Sequence, residues 1–80
     1  MSLKDYSKRV LRVLDYDFEA ARTRTREIRD ALGMLANAGV PDEVLDPIKA
    51  ELEEASDELR MITVHRVMAR DGARNHGWLD

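Results

Sequence analysis

Cysteine is absent from the 80 residues, so disulfides, thiolate metal sites and cysteine nucleophiles are excluded. Aromatics are scarce. Tyr6, Tyr16, Phe18 and Trp78 make up 5% of the chain, too few for an aromatic-rich sandwich or a ligand-enclosing barrel. Only two prolines and four glycines punctuate it, and Pro41 and Pro47 fall within one seven-residue span. No apolar run approaches the roughly 20 residues that span a bilayer. The opening Met1-Ser2-Leu3-Lys4-Asp5 lacks the hydrophobic stretch of a signal peptide. These absences lead us to expect no membrane partner and a location in the cytoplasm, or in a particle assembled there. Thirteen bases against 16 acids leave a net charge of -3. That balance disfavours a general polyanion binder and leaves room for a local basic patch.

What is present is helical. Apolar residues recur with a helical period through Leu3, Tyr6, Val10, Leu14, Phe18, Ala21, Ile28, Leu32 and Leu35, and again through Ile48, Leu52, Ala55, Leu59, Ile62 and Ala69. Ser2 supplies an N-cap, with Asp5 in the supporting position of a capping box. Asn37-Ala38-Gly39-Val40-Pro41 reads as a stop, with Asn37 or Gly39 taking a left-handed cap. Asp46-Pro47 reads as a fresh start, an N-cap followed by proline at the first helical position. Gly72 reads as the second C-cap. One domain of about 80 residues is therefore expected: helix 3–38, turn 39–46, helix 47–71 and tail 72–80. The fold class is all-α, an antiparallel two-helix hairpin with coiled-coil-like spacing.

Charge gives a register independent of the apolar spacing. If facing residues have numbers adding to about 83, Leu35 meets Ile48, Ile28 meets Ala55, and Leu14 meets Ala69. Residues 42–58 hold eight acids and one base, and residues 22–29 hold Arg22, Arg24, Arg26 and Arg29 against Glu27. The same register sets Arg29 level with Glu54 and Arg26 level with Asp57. It also sets Asp15, Asp17 and Glu19 beside His65, Arg66 and Arg70. The arginine block is thus expected to be neutralised by acids rather than free for phosphate.

A single seam leaves apolar surface over, with Leu11, Val13, Tyr16 and Ala20 on the first helix and Met61, Val64, Val67 and Met68 on the second. A core this small usually needs a staple or a partner. Pairing into a four-helix bundle or larger oligomer is the expectation. The residues assigned to self-association are Leu14, Phe18, Ala21, Ile28, Leu32, Leu52, Leu59 and Ile62. Those assigned to a protein partner of unknown identity are Met61, Val64, Met68, Trp78 and Leu79. Trp78 and Leu79 either fold back on Leu3, Tyr6 and Val10 or dock on that partner.

Catalytic constellations do not assemble. His65 lacks the Glu-x-x-His spacing of di-iron bundles, and it reads as half-buried beside Asp17. No serine has a histidine at useful spacing, and Gly33 stands alone rather than in a phosphate loop. The expectation is a non-catalytic structural or adaptor protein without cofactor, metal or small-molecule substrate. The alternative is sequence-nonspecific nucleic-acid binding by the basic end of the hairpin, through Lys4, Lys8, Arg9, Arg12, Arg66, Arg70 and Arg74.

Overall fold

A computed structural model describes residues 2–78 and consists of two helices, α1 (Leu3–Asn37) and α2 (Asp42–Asn75), packed on each other as a hairpin. The molecule measures 55 × 19 × 14 Å, one helix thick and two wide. Its long dimension is that of α1 itself, 35 residues at ~1.5 Å each.

α1 begins as its sequence predicts. The Ser2 hydroxyl accepts from the Asp5 amide at 3.1 Å, and Asp5 sits in the first turn, where the helix dipole favours an acid. α1 ends one residue before the predicted boundary. Gly39 takes the left-handed conformation at φ 83, and Asn37 stays helical. The Val40 amide donates to the Leu35 carbonyl and the Gly39 amide to the Ala36 carbonyl, both at 3.1 Å. This Schellman pattern satisfies orphan carbonyls and turns the chain back within four residues.

Two boundaries of α2 differ from the predicted ones. The helix starts at Asp42, with Pro41 as N-cap, and not at Pro47. Pro41 offers its carbonyl to the amides of Val44 and Leu45, at 3.0 and 3.2 Å. Leu45, only 4% exposed, anchors this extra turn against α1. Pro47 is carried inside the helix, where it withholds one amide from the exposed Glu43. At the other end α2 runs through Gly72 to Asn75, because Ala73, 2% exposed, belongs to the seam. Gly77 (φ 71) makes the reversal instead. The Trp78 amide donates to Ala73 and the Gly77 amide to Arg74, each at 2.9 Å, in a second Schellman pattern.

The seam runs the length of the rod, and the eight residues assigned to self-association all lie on it, within one chain. Ala21 is buried. Leu14, Phe18, Ile28, Leu32, Leu52, Leu59 and Ile62 are half-buried. Leu11, expected outside, is buried with Ala55 and Thr25, whose hydroxyl donates to the Ala21 carbonyl at 2.8 Å. No large side chain among the described residues is fully enclosed. A layer of two helices covers each core residue from one side only.

Candidate functional site

Two clusters of polar contacts, one on each side, fix both the register and the sides of the hairpin. Arg66 donates from Nε to Asp15 Oδ1 at 2.6 Å, and Arg70 reaches both Asp15 oxygens at 3.2 Å. The Arg66 guanidinium also lies 4.5 Å from the centre of the Phe18 ring. On the other side of the layer Arg24 donates to Glu58 at 3.1 Å and approaches Glu51 at 3.9 Å. Asp15–Arg66, Asp15–Arg70 and Arg24–Glu58 have numbers adding to 81, 85 and 82, close around the expected 83.

The Arg66 hydrogen bond, aided by Arg70, holds the Asp15 carboxyl below its ordinary 3.8, against a smaller opposing effect of desolvation.

Helical phase, anchored on these contacts, assigns the remaining side chains to two faces. On the Arg24 face, Glu51, Glu54 and Glu58 stand at i, i+3 and i+7 on α2. Towards the open end of the hairpin the same face becomes mostly apolar around Asp17 and His65, with Tyr6, Val13 and Ala20 on α1 and Met61 and Met68 on α2. Met68 is 65% exposed. Val64 shares the Met61 and Met68 stripe at its outer edge and is also exposed. A groove at the open end is lined by Leu3, Tyr6, Val10, Ala69, Ala73 and Trp78. Trp78 is half-buried there and stacks on His76 with ring centres 4.7 Å apart. It thus lies beside the residues named for fold-back. Leu79, assigned to partner contact with it, lies outside the described residues.

The opposite face carries the bases. Lys8, Arg12 and Arg70 line one groove around Leu11. Arg9 falls on the back of α1, away from the other bases of the hairpin end.

Three pairings are corrected. Arg29 and Arg26 do not meet Glu54 and Asp57, because phase puts Arg22, Arg26 and Arg29 on the Asp15 face and Glu54 on the Arg24 face. Asp57 instead approaches Arg60 of its own helix, at 3.4 Å. His65 is exposed rather than half-buried, and the interhelix base beside Phe18 is Arg66. Only Arg24 of the arginine block is engaged by the acids of α2.

Among the described residues no three His, Asp or Glu side chains gather as a metal ion would require, and no helix is long and apolar enough to cross a membrane. No family model, curated protein or solved structure matches the chain.

Proposed function

We propose that the chain is a non-catalytic structural or adaptor component, working in the cytoplasm or in a particle assembled there, and that its first partner is a second copy of itself. The observation that carries this is the accessible surface of 6028 Å². A compact folded monomer of 9.2 kDa exposes about 4,900 Å². The surplus of about 1,100 Å² matches the roughly 800 Å² that each partner hides in a standard interface. The open-end half of the Arg24 face is where that surplus is apolar. There Tyr6, Val13, Met61 and Met68 flank a seam whose larger residues, Leu11 apart, are half-buried. Laying a second hairpin over this face converts a two-helix layer into a four-helix bundle and encloses the seam from its open side.

Light scattering on surface variants tests it. Val13→Glu combined with Met68→Glu is expected to shift the protein from twice its chain mass to a single chain mass. Met34→Glu, at an exposed position near the turn and outside the open-end half of that face, is expected to leave the mass unchanged. Equal masses for both variants and the parent would refute pairing through this face.

A further inference from the structure

The arginines that the acids of α2 do not reach form part of a continuous basic face, and we infer that this face binds the phosphate backbone of a nucleic-acid duplex without reading its sequence. Lys4, Lys8 and Arg12 succeed one another at four-residue steps on α1, and Arg22, Arg26 and Arg29 continue at i, i+4 and i+7 along the same side. None of these six has an acidic partner within ion-pair distance among the described residues. Between the two groups lies Asp15, which α2 neutralises with two arginines. Asp5 and Glu19 are the unpaired acids on the line. Where α2 runs beside Arg22 and Arg26 it offers Ser56 and Thr63, and Glu53 comes onto this face level with Arg29, beyond ion-pair distance. Adding Arg66, Arg70 and Arg74 from α2 gives nine bases against Asp5, Asp15, Glu19, Glu53 and Asp71, a local charge of +4 on a chain of net -3. The net charge of the molecule therefore hides a strong separation of sign between its two faces.

Dimension and composition favour a duplex over other polyanions. Lys4 and Arg29 are 25 residues apart, about 37 Å along a straight helix, close to the 34–36 Å of one duplex turn. Insertion into a lipid headgroup layer needs exposed apolar residues beside the bases, and here those residues lie mostly on the other face. No helix end or loop on the basic face projects into a groove, so contact is with phosphates and affinity comes from counterion release. The face stays outward when the Arg24 face is covered, so binding and pairing are separable.

Fluorescence anisotropy with a labelled random-sequence 24-base-pair DNA duplex tests the inference. Binding by the full chain at 50 mM salt should weaken with a log–log salt slope of roughly -4 or steeper, as four or more phosphate contacts require. Arg22→Glu with Arg26→Glu, checked for retained helicity, should weaken binding at least ten-fold and flatten the slope by about two. The milder Arg22→Gln with Arg26→Gln should give a smaller loss in the same direction. Arg9→Glu, on the back of α1 and away from this face, should change affinity and slope far less than the double variants. No binding at 50 mM salt would overturn the inference. So would a slope near zero, or an Arg9→Glu loss equal to that of the double variants. Tighter binding to phosphatidylserine vesicles or to poly-glutamate than to the duplex would also overturn it, replacing the duplex with a membrane or an acidic polypeptide.

Discussion

Asp15 is the residue through which the two helices hold their register most directly. Its side chain is 40% exposed, so the pair of arginine contacts contributes at the exposed-pair scale, about 0.5–1 kcal/mol. Asp15→Asn is expected to lower the unfolding free energy by that amount at pH 7, measured by urea titration at fixed protein concentration. The folded chain holds this carboxyl below 3.8. Its contribution is therefore complete above that value and disappears as pH falls through the lowered one. Parent and variant should converge once the pH has fallen through that lowered value. A gap of constant size from pH 7 into acid would show that the loss comes from packing and not from charge. That Asp15 lies beside Arg66 and Arg70 follows from their numbers and signs alone. Which base would sit on Phe18 does not: His65 and Arg66 are neighbours in the chain, and one residue of helical phase separates the exposed ring from the half-buried guanidinium.

Helix boundaries depend on a competition between local punctuation and burial. Asp46-Pro47 and Gly72 are strong local signals, and both are overridden. Leu45 and Ala73 each lie just beyond the predicted ends, and burying them extends α2 in both directions. Ser2 and Gly39 meet no such competition, and their signals hold. The glycines separate accordingly. Gly39 occupies φ 83, where a Cβ is strained, so Gly39→Ala should cost about 1 kcal/mol. Gly33 is helical with nothing within 4 Å of an added Cβ, so Gly33→Ala should stabilise by about 0.5–1 kcal/mol. Thermal melts at matched concentration should move in opposite directions for these two variants. Parallel shifts would contradict the different backbone roles assigned to them.

At the scale of the whole molecule the two-sided distribution of charge matters most. Register fixes how far along the rod a residue lies, and helical phase decides which side it occupies. Arg29 and Glu54 are level with each other and still face apart, which is why matching charges by height suggested a neutralised block. The apolar stripe of Met61, Val64 and Met68 is legible from spacing. The burial of Leu11 is not, because a stripe wider than the seam gives no sign of which edge the neighbouring helix will cover. With one face apolar and acidic, the other basic, and no large side chain fully enclosed among the described residues, we propose that the hairpin is half of a bundle core. Sedimentation equilibrium of the intact chain from 1 to 100 µM tests this most directly, with helicity followed by circular dichroism on the same samples. A mass of twice 9.2 kDa that falls only on dilution, together with helicity that falls with it, is the expected result. A fully helical species of 9.2 kDa across the whole range would contradict it.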